Sequence, residues 1–317
     1  MKRLIVLLFA ACCTGALAQN YPQRPITLVV PFAPGGGTDS IARDLARQLQ
    51  DKLGTSVVVD NRGGAGGAIG VDYVSQAAAD GHTLLFVTST FVTRAATEPQ
   101  AWRDILKEFA PVAMIGRGPL LVVANRDAGI DTLAAMVARA KAQPNSLNYC
   151  SAGTGSINHL AGELFSQRAG IRMTHVPYKG SAPAAVDLIA GQVQVFFATV
   201  PTIGAHVKGG RVKLLAVTSS QRSPQFASTP TVAESGIADF DVSTWWGVVA
   251  RSGTAPAIVT KLNSAINESL AAPAIVERLQ SEGADAYRGS SADFARMLAA
   301  ELAAWKKTVA SAGIKTD

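Results

Sequence analysis

One feature constrains this chain more than any other, an alternation that runs almost its whole length. Short apolar runs give way to loops of glycine and hydroxyl residues, and these to stretches with apolar residues at helical spacing. The first instance is the run 26–30. It breaks at Pro31-Phe32-Ala33-Pro34-Gly35-Gly36-Gly37 and resumes as a helical pattern at Ile41, Ala42, Leu45, Leu49 and Leu53. Thr38 or Asp39 can cap that helix, because a short oxygen-bearing side chain accepts a hydrogen bond from an orphan N–H of the first turn. A glycine loop entering a helix presents free N–H donors at the positive end of the dipole, which suits an anion. Three glycines also suit a tight turn that needs them only for its dihedral angles, so the rest of the chain has to decide.

Strand patterns follow at 57–59, 84–87, 112–115, 120–123, 147–150, 173–176, 193–197 and 214–217. Helical patterns occupy 70–79, 133–140 (ended by Gln143-Pro144), 157–168, and a segment capped by Ser181 that stops at Gly191. Near the C-terminus two more apolar faces appear, at Ile258, Leu262, Ile266 and Leu270, and at Phe294, Leu298, Leu302 and Trp305. Such alternation predicts an α/β fold of parallel sheets covered by helices on both faces. Ligands of such folds sit at the carboxyl ends of the strands, where the polar loops fall.

The N-terminus reads as a secretory leader: Lys2-Arg3, an apolar run 4–11 too short to span a bilayer, and Ala16-Leu17-Ala18 before Gln19. Cleavage is expected after Ala18. Cys12 raises lipidation as an alternative, although Phe9-Ala10-Ala11-Cys12 is a poor lipobox. Without the leader only Cys150 remains, so no intrachain disulfide can form, and a chain of this length can bury its core without one, as two domains. Losing Lys2 and Arg3 takes the net charge from +6 to +4. With no Lys/Arg cluster, nucleic acid is not indicated, while small anions suit the mild positive charge.

Three loops share one design, 34–39, 88–90 and 151–156: donors at a strand end with no acid except Asp39. Donors without acids suit a carboxylate, each charge-assisted hydrogen bond adding about 1.5–3 kcal/mol net. The second glycine loop, Gly64-Ala65-Gly66-Gly67-Ala68-Ile69-Gly70, lacks the dinucleotide spacing and fits close strand–helix packing, so no cofactor is expected. The four histidines (82, 159, 175, 206) show no metal-ligand spacing. Ser151 or Ser156 with His159 or His175, or the Cys150 thiol, could support nucleophilic catalysis, but there is no G-x-S-x-G elbow. Trp245-Trp246 would place one ring in the core and one toward a pocket, or both in structural positions.

These blocks carry a resemblance. Val30-Pro31-Phe32-Ala33-Pro34-Gly35-Gly36-Gly37-Thr38-Asp39, Asp60-Asn61-Arg62-Gly63-Gly64-Ala65-Gly66-Gly67, Asp80-Gly81-His82-Thr83, and His159-Leu160-Ala161-Gly162-Glu163 recur in order with His175-Val176-Pro177-Tyr178-Lys179-Gly180 and Pro230-Thr231-Val232-Ala233-Glu234. The chain resembles the substrate-binding proteins of tripartite tricarboxylate transporters, the Bug family of periplasmic receptors. The resemblance implies a type II periplasmic-binding-protein fold, two α/β domains around a ligand cleft joined by a hinge. Domain 1 would comprise 19–120 and 232–317, with domain 2 (121–231) inserted and 1–18 removed.

The resemblance further implies that a carboxylate is held by the loops 34–39 and 151–156, partly through water. With the other polar strand ends, the expected ligand contacts are Phe32, Pro34, Gly35, Gly36, Gly37, Thr38, Asp39, Thr88, Ser89, Phe91, Ser151, Gly153, Thr154, Gly155, Ser156, His159, Tyr178, Ala198 and Trp245. Two departures stand out: Ala198 follows 193–197 where the family often carries Asp, which argues against an amino-acid ligand. Residues 91–108 lack the usual proline- and tyrosine-bearing segment and offer Phe91 and Arg94. The implied function is that of a monomeric periplasmic receptor, not an enzyme, which captures a di-/tricarboxylate or aromatic acid for a membrane permease. A signalling receptor on the same fold and a secreted hydrolase using Ser156 or Cys150 are the alternatives.

Overall fold

The computed structural model describes residues 21–32, 34–35, 37–100, 102, 104–178 and 180–314. The expected leader with Cys12, and the positions Gly36 and Lys179, lie outside the described residues. Strands β1 (Ile26–Val30), β2 (Val57–Asn61) and β3 (Thr83–Thr88) run parallel in the order β2-β1-β3. A second parallel set is formed by β5 (Asn148–Ser151), β6 (Thr174–Pro177) and β7 (Val195–Thr199). Two long strands join the sets, β4 (Phe109–Asn125) and β9 (Ser243–Arg251).

The expectation of purely parallel sheets is therefore corrected. β9 runs antiparallel to both β3 and β4, and β4 runs antiparallel to β7 and to β8 (Val212–Val217). The chain leaves the first sheet along β4 and returns to it along β9, so the two neighbours must point in opposite directions. β4 was expected as two strands, 112–115 and 120–123. It is one strand because Gly116 and Gly118 are not turn residues. A Cβ on Gly116 would stand 2.8 Å from the Asp285 carbonyl, and one on Gly118 would overlap that of Gly283. The glycines let the segment 283–286, which contains the short strand β10 (Asp285–Ala286), lie directly against β4.

Helices cover both faces. α1 (Gly37–Leu53) buries Ile41, Ala42, Leu45 and Leu49, the stripe expected from their spacing. Its core cluster includes α9 (Pro256–Ser269) and α10 (Pro273–Ser281). α2 (Ala68–Ser75) follows the second glycine loop. α3 (Ser89–Thr97) occupies what looked like a polar loop, and the one-turn α4 (Ile105–Glu108) leads into β4. Around the second sheet lie α5 (Leu133–Ala142), α6 (Ile157–Ala169), α7 (Ser181–Ile189) and α8 (Val200–Lys208). Ser181 is the first residue of α7 rather than its cap, a position held by Gly180.

The largest apolar cluster runs without a break from Val29 and Phe91 through Leu120 and Tyr149 to Phe294, Leu298 and Trp305. The last three belong to α11 (Ser291–Ala312), which begins with a Ser290–Asp293 capping box and lies across β4, α3 and α6. One face of the molecule is thus sealed by a shared core. Separate clusters fill the opposite faces of each sheet.

Candidate functional site

Between the two parallel sets lies a cavity of about 400 Å³ onto which five helices open at their N-termini. Its lining takes Gly37 and Thr38 from the first turn of α1, Thr88 to Thr90 from the start of α3, and Ser156 to Asn158 from the start of α6. Gly180 and Ser181 come from α7, and Thr199, Pro201 and Thr202 from α8. Each helix start carries about half a positive charge and unsatisfied N–H groups. Five converging on one space make a strong anion field without any formal charge.

The hydroxyls are held in place rather than free. Thr88 caps α3 by accepting from Thr90 N at 3.3 Å, and Ser156 caps α6 by accepting from His159 N at 3.3 Å. Ser89 and Thr244 face each other at 3.4 Å, Thr199 and Thr202 at 2.9 Å. Trp246 Nε1 donates to Thr38 Oγ1 at 3.2 Å, and Asn158 Nδ2 to Phe197 O at 2.6 Å. Among the described residues the cavity wall carries one cation and one acid. Arg94, on α3, pairs with Glu98 through Nη1, while its Nε is buried without a hydrogen-bond partner among the described residues. The second glycine loop leaves room for this side chain at Gly66, where a Cβ, at φ +65°, would stand 2.8 Å from the guanidinium carbon. The acid is Glu282, at the end of α10.

Of the residues expected from sequence, the structure brings Phe32, Gly37, Thr38, Thr88, Ser89 and Ser156 to this cavity. Others build the loops behind it. Asp39 does not cap α1. Its carboxylate accepts from Gly35 N at 2.9 Å, Arg43 Nε at 2.9 Å and Asn61 Nδ2 at 2.8 Å, tying the loop to the end of β2. Burial pulls that carboxyl upward, but these donors outweigh it and hold it below the usual range. Pro34 and Gly35 are exposed in this loop and away from the cavity wall.

Ser151 is fully buried and accepts from Gly153 N at 3.0 Å, with its hydroxyl 2.6 Å from His175 Nε2. Gly153 and Gly155 take positive φ, and a Cβ on Gly155 would lie 2.7 Å from Thr97 Oγ1, so the loop 151–156 presses on α3. Thr154 sits between them and is absent from the cavity wall. His159 accepts from Gly155 N at 3.2 Å through Nδ1 and stacks on His175 at 3.8 Å. Burial lowers the pKa of His159 to about 3 and of His175 to about 4, so both rings are neutral props for the loop.

Four of the expected residues stand away from this cavity. Phe91 is core, packed edge-on against Trp102 and Phe109, because α3 is buried on nearly every side. Tyr178 turns from the cavity and donates to Asp187 at 2.7 Å. Ala198 faces the apolar cluster behind β7. Of the tryptophan pair it is Trp246 that reaches the cavity, and Trp245 points the opposite way, as strand neighbours must. Trp245 and Trp305 both donate to Glu301, at 2.7 and 3.0 Å, beside a larger cavity of about 970 Å³ under α11. That space is bigger, but no helix start opens onto it, and we place the site in the smaller one. Arg94, Asn158, Thr199, Thr202, Trp246 and Glu282 were not expected from the loops. Their only sequence signal was the odd segment bearing Arg94 and the adjacency of the two tryptophans.

The pattern of the "Tripartite tricarboxylate transporter family receptor" matches residues 41–314. The chain belongs to this receptor family. It is 41% identical over 261 residues to protein BugT of Bordetella pertussis, covering 80% of each chain. Among solved structures it is similar to an R. palustris protein with adipate, at 36% identity and a TM-score of 0.83, covering 93% of this chain and 99% of the other. It is also similar to MatC from Rhodopseudomonas palustris with bound malate, at 31% identity and a TM-score of 0.80, covering 91% and 100%. The two-domain periplasmic-binding fold of these receptors is the fold described above. No helix among the described residues is long and apolar enough to cross a membrane.

Proposed function

We propose that the chain captures a small organic carboxylate between its two halves and delivers it to the permease of a tripartite transporter. The observation that carries this reading is the convergence of five helix starts and Arg94 on a space of about 400 Å³. Relatives solved with adipate and malate support the ligand class. A domain division at 120 and 232 is part of this reading; that β4 exchanges β9 for β7 between Pro119 and Leu120 supports its first crossing. Export to the periplasm with cleavage after Ala18 is part of the same proposal.

The site binds without chemistry. Ser156 Oγ donates to Gly153 O at 2.7 Å, and His159 Nδ1 already accepts from Gly155 N. Cys150 is fully buried and its thiol is pushed up to about 12 by desolvation, which leaves no thiolate to attack a substrate. A thermal-shift screen of the mature chain, stripped of bound ligand, against aliphatic and aromatic acids tests the proposal. At about 100 times Kd, ligand adds roughly 2.7 kcal/mol to stability, a clear rise in the melting midpoint. Silence across the panel would overturn it.

A further inference from the structure

Glu282 is the one carboxylate among the described residues lining this cavity, and its placement is unusual. It closes the C-terminus of α10, where its backbone N–H bonds to Arg278 O and Leu279 O, and its side chain turns into the cavity against Gly37. A Cβ on Gly37 would overlap the carboxylate, so glycine at the start of α1 is what admits it. The residue is only 8% exposed, and Oε2 is buried with no hydrogen-bond partner among the described residues. Burial lifts the carboxyl above the usual range, with only Arg278 opposing, and that guanidinium is committed to Asp44 at 2.8 Å. A buried acceptor left unpaired is costly, by about 1–3 kcal/mol. A plain dicarboxylate would leave it unpaired and add a second negative charge beside it.

We propose that Glu282 selects a carboxylate that also carries a protonated amino group, with the ammonium at Glu282 and the carboxylate among the helix starts and Arg94. This rests on the carboxylate reading above and narrows it. At the position where the resemblance leads one to expect Asp, this chain has Ala198, within β7 and facing the core, so Glu282 supplies an acid from a different element and returns amino acids to the candidate ligands.

The test uses matched pairs that differ only in the amino group: glutarate and glutamate, adipate and 2-aminoadipate, hexanoate and 6-aminohexanoate. Each is titrated calorimetrically into the mature chain stripped of ligand, wild type and Glu282→Gln. In at least one pair the amino member should bind about tenfold or more tighter in the wild type, as a charge-assisted hydrogen bond implies. In the variant that ratio should collapse toward one. Parent acids that bind as well as their amino partners throughout, or a ratio that survives in Glu282→Gln, would overturn the proposal. If neither member of any pair binds while another acid of the thermal-shift panel does, this inference falls and the carboxylate reading stands; silence in the pairs and across the panel removes both. Should the variant fail to fold by circular dichroism, the wild-type pairs alone decide.

Discussion

Single residues here act through what the backbone allows beside them. Arg94 lies against Gly66 and near Gly155, and any side chain at those glycines would collide with it or with Thr97. If Arg94 pairs with the ligand's carboxylate, Arg94→Gln should weaken binding of any acid found by roughly tenfold or more, with an unchanged far-UV spectrum. Equal affinity, measured calorimetrically, would place the carboxylate elsewhere. The stacked His159 and His175 make a second residue-scale prediction. Their folded pKa values of about 3 and about 4 lie below the ordinary 6.5, so the unfolded chain takes up protons first as pH falls. The stability they contribute is complete above about 6.5 and is lost progressively toward pH 4. Glu163 and Glu282, raised by burial, and Glu301, raised to about 7, oppose this, because the folded chain takes up their protons first. The histidine contribution is read as a difference: in urea unfolding, the change in stability from pH 7 to pH 5 should be less favourable in the wild type than in His175→Asn. Identical pH dependence in the two proteins would refute the assignment.

At the scale of elements, β9 divides its two tryptophans between two cavities. Trp246→Phe removes the bond to Thr38 and should weaken ligand binding severalfold. Trp245→Phe, whose indole bonds to Glu301 on the far side, should leave the dissociation constant unchanged while lowering the melting midpoint. Paired titrations and melts distinguish the two, and a reversed pattern would contradict the assigned faces. The same scale shows what the sequence could reveal. The positions of loops 34–39, 88–90 and 151–156 were legible because glycine and hydroxyl clusters follow apolar strands. α3 was not, because a helix buried on nearly every side shows no stripe. β4 was read as two strands because Gly116 and Gly118 look like a turn unless one knows that residues 283–286 press against them. Arg94 and Glu282 reach the cavity from elements 188 positions apart, and no local pattern announces that meeting.

For the molecule as a whole, the shared core under α11 joins the two halves on one side, and the helix starts face each other on the other. That asymmetry is what a receptor closing on its ligand requires: a continuous apolar seam to bend about and a polar gap to fill. The central claim is that the gap is filled by an anionic carboxylate held by helix starts. Calorimetric titration with the best-binding acid and with its methyl ester at each carboxyl tests it most directly, since the ester keeps the shape and removes the charge. The account predicts a dissociation constant near micromolar or tighter for the acid, about −8 kcal/mol, and a loss of about tenfold or more for at least one ester. Equal affinity of the acid and all its esters would contradict it.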